Sequence, residues 1–504
     1  MKLVTISITI ILLSMCSVTV LSKSRFEKTL NDDWYQATSN EFIIISNVRK
    51  KQIEKVAKEL GYFREVASII TGTSFIIDAK PILFLMKGPE FRVITQNKKK
   101  NIGGYFQSTQ DQDYAMMNSS KFRGKEKKYL LFHEYTHYLQ SLNNSSISPA
   151  WYREGVAEYL ASANIKNAKN FEVGSVSDSR IAGLVYYSWE DVGNFFHRQG
   201  RLITKMRKSR HDLYGQALVM THYFANNPER GKNLKKYIEK INSGVHPEMA
   251  FSSSFPISMD DLNREIKDYF RRGKYPYRKV ELKSPLAADS IIISKLSMDE
   301  LADVIGRYIT RRGEVTDDEI LFYSAQLENG TISAGGLSVL AHSAIMRDKL
   351  EGSEEVFRIL EEKFPSDKDS LVQLAHYYAA LRENTELAPT QVKAYFEAEA
   401  DALKSILRDN KRDAHAAYDL GLNYRESGAN PEMGRKLIKA AYYLKPQYGG
   451  YGISLADAYY EDEMYQEAYT VVKSYLGSTS HLRATSEFSE WLKMIESAAL
   501  KQQN

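Results

Sequence analysis

The chain has 504 residues, 43% hydrophobic and 26% charged, which allows about two to four domains with ordinary cores and argues against wholesale disorder. Its 68 lysines and arginines nearly cancel its 63 aspartates and glutamates. Short basic clusters such as Lys98-Lys99-Lys100 and Arg207-Lys208 accompany no nucleic-acid-binding signature, so they read as solvated surface and argue against a nucleic-acid partner.

Residues 1–22 read as an export signal. Lys2 supplies the positive start, Leu3 to Met15 the apolar stretch, and Val20-Leu21-Ser22 a small residue before a cut ahead of Lys23. The expected location is therefore periplasmic or secreted. Cys16 allows lipoprotein anchoring as the less favoured alternative, because Met15 is a poor residue to precede a lipidated cysteine. No later stretch is long and apolar enough to span a bilayer, so no transmembrane helix is expected in the mature chain. Cys16 is the one cysteine, so the mature chain would have no thiol, and a metal would be held by histidine and carboxylate.

After the signal, Glu41 to Ser46 is a β-branched run and predicts a strand. Ile53, Val56, Ala57, Leu60, Phe63, Ala67 and Ile70 recur at helical spacing. Pro81 to Met86 predicts a second strand. Gly103 to Phe106 and Tyr114 to Asn118 predict two more, joined by a polar turn around Asp111. A charged loop from Lys121 to Lys128 leads to an apolar helix containing His133-Glu134-Tyr135-Thr136-His137. Ser148-Pro149 predicts the next helix, with serine as N-cap and proline at the first helical position. Helices continue to about Phe270, and Gly273 to Asp289 reads as a linker.

Beyond the linker the pattern is helical and repetitive. Leu340-Ala341, Ala344, Phe357 and Pro365 occupy the places of a tetratricopeptide repeat, and Leu374-Ala375 with Tyr378 follows 34 residues later. Leu420-Gly421 follows after 46, which requires an insertion around Asn384 to Gln391, and Leu455-Ala456 after 35. A generic helical bundle is the alternative. Stacked repeats offer a concave face for a protein partner.

Histidines at i and i+4 lie on one helix face and can converge on one metal, with Glu134 beside them to hold a water. Two structural histidines are the alternative, although such a pentapeptide arises by chance in roughly one chain in a hundred of this size. A catalytic zinc needs a third protein ligand and an open position. Seventeen residues past His137, a second amphipathic helix carries Glu154, which a helix–loop–helix can return to the metal.

Trp151-x-x-Glu154-Gly155-x-Ala157-x-Tyr159 after His-Glu-x-x-His resembles the gluzincin metallopeptidases, the thermolysin and aminopeptidase N superfamily. The resemblance implies that Glu154 is the third zinc ligand. Tyr214, opening Tyr214-Gly215-Gln216-Ala217, resembles the family tyrosine that stabilises the tetrahedral intermediate, and a core aromatic is its alternative reading. Glu158, one turn beyond Glu154, is a candidate to orient a ligating histidine, or else an exposed carboxylate. The chain is most similar to exported bacterial gluzincin-like proteins whose peptidase domain precedes tetratricopeptide repeats. Aminopeptidases of the superfamily carry a glutamate for the substrate's amino group where this chain has Gly103 to Phe106. An endopeptidase is therefore expected over an aminopeptidase, and an edge strand there could pair with an extended peptide. His222 and His342 sit singly on helices and read as structural.

The expected fold is α+β: a gluzincin-type zinc peptidase domain over residues 23–280, with a mixed sheet and a helical zinc-binding half, then an all-α tetratricopeptide-like superhelix over 290–500. One Zn²⁺ per chain would be held by His133, His137 and Glu154, with Glu134 as general base and Tyr214 as oxyanion donor. The expected partner is a peptide or protein substrate, with a further protein partner possible at the repeats. The alternative is a catalytically inactive zinc-binding adaptor.

Overall fold

A computed structural model describes residues 24–75, 77, 79–96, 102–121, 126–142, 148–186, 189–197, 213–243, 245–286, 290–383, 386–446, 448–476 and 486–503. The export signal, with Cys16, and the two basic clusters lie outside these residues. The chain divides into two compact units. One comprises Tyr35–Gly88, Lys99–Ser294 and Arg412–Asn504; the other comprises Pro89–Lys98, Lys295–Lys411 and the segment ending at Trp34. Among the described residues, no helix is long and apolar enough to cross a membrane.

The elements run α1 (Arg25–Leu30), β1 (Tyr35–Thr38), β2 (Ile43–Ser46), α2 (Lys50–Thr71), β3 (Ile82–Met86), α3 (Gly88–Ile94), β4 (Gly104–Ser108), β5 (Asp113–Asn118), α4 (Glu126–Leu142) and α5 (Ala150–Ala161). There follow β6 (Asn164–Ile165), β7 (Asn170–Val173), α6 (Asp178–Tyr186), α7 (Val192–His197), α8 (Leu213–Ala225), α9 (Pro228–Asn242), α10 (Pro247–Ser252), α11 (Met259–Arg272), β8 (Arg278–Glu281) and β9 (Ile292–Lys295).

The main sheet has the order β4-β5-β3-β2-β1-β9 and is mixed. β2, β3 and β5 run parallel, while β4 pairs antiparallel with β5, and β1 with β2. β2 and β3 are parallel, so the chain must cross over between them, and α2 is that crossover. Its Ile53, Ala57, Leu60 and Phe63 are buried, and α4 packs beside it with Phe132 and Tyr135 in the same core. β4 is left at the sheet edge. Asn118 donates to Gly103 O and Thr109 to Gln112 O, so the intervening Gly104, Phe106 and Ser108 turn their backbone groups outward.

Two expectations need correction. Ser148 does not cap α5: Pro149, with extended ψ of 140°, is the N-cap and the helix begins at Ala150. The stretch from Gly273 to Asp289 is not simply a linker, because β8 within it pairs antiparallel with β7 and completes a second sheet, β6-β7-β8. Its charged side chains disguise it: Arg278, Lys279 and Glu281 are exposed and only Val280 packs inward.

The repeat places fall on successive helix hairpins. In the second unit, α12 (Met298–Arg312) and α13 (Asp317–Glu328) precede α14 (Ala334–Met346) with α15 (Glu354–Lys363), then α16 (Lys368–Arg382) with α17 (Pro389–Asp409). Its N-terminal α1 packs on α13, where the Phe26 ring meets Phe322 edge-on at 5.3 Å. In the first unit, α18 (Ala414–Glu426) pairs with α19 (Pro431–Leu444), and α20 (Gly449–Glu461) with α21 (Tyr465–Leu476), before α22 (Ser486–Gln503). The long spacing between Leu374 and Leu420 is taken up largely by α17, which has 21 residues against 14 in α19.

Candidate metal and catalytic site

Packing of its apolar stripe fixes how α4 presents its polar one. Phe132, Tyr135, Tyr138 and Leu139 are buried, with the Phe132 ring stacked on Phe63 of α2 at 4.1 Å. The opposite stripe, His133, Glu134 and His137, is thereby set along the β4 edge, and Phe106 of β4 lies 6.5 Å from His137, ring to ring. On α5, Glu154 and Glu158 are one turn apart and face α4. Between them, Gly155 allows close approach of α8: a Cβ there would collide with Thr221 Oγ1 and with the Ala217 carbonyl. α8 carries Tyr214, half-exposed, with its ring centroid 6.1 Å from that of His133. Gln216 anchors the start of α8, donating to Glu190 O at 2.6 Å and accepting from Glu190 N–H at 3.1 Å.

His133 Nε2, His137 Nε2 and Glu154 Oε2 form a triangle with sides of 3.2, 3.4 and 3.4 Å. The hydrogen placement follows from the partners on the other side of each ring. His137 Nδ1 lies 3.2 Å from Gln140 Oε1, whose amide nitrogen is held by Arg153 O at 3.0 Å, so Nδ1 carries the hydrogen and Nε2 a lone pair. His133 Nδ1 lies 3.2 Å from Glu158 Oε1, outside hydrogen-bond geometry but facing a carboxylate that can only accept, which favours the hydrogen on that side. Three lone pairs thus converge, and Glu154 Oε2 is buried outside hydrogen-bond geometry. A proton on His133 Nε2 can answer Glu154, whereas a cation answers all three atoms at once. Tetrahedral ligands at about 2.05 Å from an ion stand about 3.3 Å apart, so an ion of zinc's size fits.

Electrostatics agrees with this. Burial by itself would lower the pKa of His133, but Glu154 and Glu158 outweigh it and push it up to about 10. Burial would raise Glu154, yet the two imidazoles hold its carboxyl well below the usual range. The protons and carboxylates compensate one another where a metal ion could do so. Glu134 goes the other way: burial raises it, against the opposing pull of His133, His137 and the Phe106 N–H that reaches its carboxylate. A buried carboxylate with raised proton affinity is suited to act as a base.

Glu158 is almost fully buried, not exposed. Besides His133 it accepts from Tyr129 Oη at 2.5 Å, from Arg180 Nε at 2.9 Å, and from Arg180 Nη2. Burial would raise it, but His133 and Arg180 bring it down to about 2, so it stays a carboxylate. The Arg180 guanidinium also lies over the Tyr129 ring at 4.4 Å.

His133, Glu134, His137, Glu154, Glu158 and Tyr214 are therefore brought together. The sequence reading missed Tyr129, Gln140, Arg180 and Gln216. Tyr129 and Gln140 sit one turn from His133 and His137 and were open to a helical-wheel argument, whereas nothing local marks Arg180. His222 stands apart, fully buried, with Nδ1 2.7 Å from Tyr269 Oη and Nε2 2.9 Å from Gly174 O, as a structural histidine does. A cleft of about 700 Å³ opens on His137, Glu154, Phe106 and Ser108.

No protein-family model matches the chain. No curated protein matches it in sequence either. Among solved structures it is similar to a thermophilic TPR protein of Thermus thermophilus, at 20% identity and a TM-score of 0.31, over 40% of this chain and 99% of that one. So loose a likeness supports no argument, and the functional reading rests on the geometry of the chain itself.

Proposed function

We propose that this protein is an exported, zinc-dependent peptidase of gluzincin type. The observation that carries the proposal is the triangle of His133 Nε2, His137 Nε2 and Glu154 Oε2, with sides of 3.2–3.4 Å, beside a buried Glu134. Zinc held there would supply a Lewis acid and lower the pKa of a bound water. Glu134, positioned by the Phe106 N–H, takes a proton from the attacking water and passes it to the leaving amine. Tyr214 donates to the oxygen on which charge develops. The outward backbone groups of β4 pair with an extended substrate, and Glu158 keeps the His133 ring turned toward the metal. Gly103 to Phe106 offers no carboxylate for a free amino group, which favours an endopeptidase over an aminopeptidase.

Metal analysis of the purified full chain tests this. One zinc per chain is expected, with sharply reduced occupancy in Glu154→Ala, because three ligands leave no redundancy. Full occupancy in that variant would remove Glu154 from the ligand set and the gluzincin assignment with it.

A further inference from the structure

The β4 edge has a definite end. β4 runs from Gly104 to Ser108 beside α4, with Leu130 against Gly104, His137 beside Phe106, and Asp113 joining Ser108 to Ser141 through their hydroxyls. The catalytic centre lies midway along this track. A peptide pairing antiparallel to β4 lies with its amino end toward Ser108 and its carboxyl end toward Gly104.

At the Ser108 end stands the corner between α19 and α20, which belongs to the same compact unit as the sheet. Lys445 Nζ donates to the Thr109 carbonyl at 2.9 Å, and Pro446 lines the same cleft as Phe106, Ser108 and His137. The electrostatic influence extends along the turn. After burial itself, Asp111 is among the neighbouring charges that push the Tyr451 hydroxyl of α20 up. The residue facing Glu134 is Phe106, and Thr109 is three residues further on. At about 3.3 Å per residue that leaves about 10 Å of track before the corner.

We infer that the Lys445-Pro446 corner closes the amino side of the cleft, leaving room for two or three residues before the scissile bond. The inference rests on the peptidase reading and names its substrate class: extended peptides cut close to their amino terminus. Water adds across the bond, its hydroxyl to the carbonyl carbon and its hydrogen to the departing amine, and a dipeptide or tripeptide leaves. The limit is steric. This departs from the endopeptidase expected from the sequence, since release of dipeptides or tripeptides from an end is exopeptidase action.

Peptides ending in a hydroxamate, with one to six residues before it, test the closure by binding, without turnover. On the zinc-loaded full chain, affinity is expected to rise through the third residue and to fall by about tenfold or more on adding a fourth. In Lys445→Ala/Pro446→Gly, and in Lys445→Ala alone should the pair fold poorly, the fourth residue should bind without that loss. Zinc content and Tm of the variants are measured alongside. Affinity that holds or rises from four to six residues would overturn the closure while leaving the peptidase reading intact. A loss that persists in well-folded variants would place the barrier elsewhere and overturn the role of the corner. A wild-type chain that takes up no zinc would overturn the site itself, and this inference with it.

Discussion

The contact of α5 with α8 and the contact of α18 with α19 are built alike. In each, a glycine lets two helices approach until a Cβ would strike the neighbour's backbone: Gly155 against the Ala217 carbonyl, and Gly421 against the Gly434 carbonyl at 2.8 Å. What surrounds the glycines differs. Near α18 and α19 the charges answer one another, with Arg425 paired to Glu461 at 2.6 Å and to Asp462 at 3.0 Å. Around α5, two imidazole nitrogens and a carboxylate oxygen converge, and a proton taken up by His133 or a cation must answer them. Charges paired with their opposites stabilise a fold, whereas converging acceptors cost stability until something outside the chain satisfies them. The glycine helix contact is shared architecture. A demand met only from solution, by a proton or a cation, marks the site.

The largest expected effect separates chemistry from metal binding. Glu134→Gln keeps the shape and can still accept from the Phe106 N–H, but the amide cannot take a proton from water. Peptide hydrolysis should fall by about a thousandfold or more while zinc content stays at the wild-type level. Equal rates would move the base elsewhere and leave the site a metal-binding one, as the adaptor alternative holds.

Next in size is Tyr214→Phe. The ring is half-exposed and lies 6.1 Å from His133, so loss of the hydroxyl should change packing little. The turnover number should drop by about ten- to a thousandfold with KM, zinc content and Tm nearly unchanged. A wild-type turnover number would make Tyr214 a packing residue.

The Glu134 wager could be placed from the residues because α4 and α5 are local objects, whereas Tyr214, on α8, came only from the resemblance to gluzincins. The i, i+4 histidines and the Glu154-Gly155 pair fall on helices whose apolar stripes are plain, and the stripes set the direction of the polar residues. The edge position of β4 was legible in the same way, from short runs beside a polar turn. The partners that complete the site were not. Arg180 reaches Glu158 from α6, 22 residues away and beyond two strands, and its own sequence neighbourhood resembles any exposed helix. β8 was hidden because one face of a strand in a small sheet can be wholly charged. Gln216 sits in a helix too apolar to suggest that its amide anchors a loop.

Arg180 supplies the third and smaller effect. Glu158 faces Nδ1 of His133 only while its carboxylate is itself held, and Arg180 grips both its oxygens. Arg180→Gln should weaken zinc binding by about ten- to a hundredfold, measured by competition with a chelator, the range found when a ligand's supporting partner is lost. Arg180→Lys, which restores charge but not the two-point grip, should recover only part of that loss. Wild-type zinc affinity in Arg180→Gln would make the cluster structural, like the Arg425 pairs.

The smallest effect puts the likeness of the two glycine contacts to the test, with one substitution made at both. Gly421→Ala sets a Cβ 2.8 Å from the Gly434 carbonyl and 2.7 Å from Ile438 Cγ1. Gly155→Ala presses on the Ala217 carbonyl and on Thr221. Backbone cannot step aside as a flexible side chain can, so each change should cost about 1–3 kcal/mol and lower Tm. Only one of them lies between the proposed metal ligands and Tyr214. Pushing α8 off α5 displaces Tyr214 from His133 and disturbs the helix that holds Glu154. Gly155→Ala should therefore lose zinc affinity and turnover together with stability, whereas Gly421→Ala should lose stability alone. If both variants melt early and both bind zinc as the wild type does, the closeness of α5 and α8 serves the fold only, and the placement of Glu154 and Tyr214 must come from elsewhere.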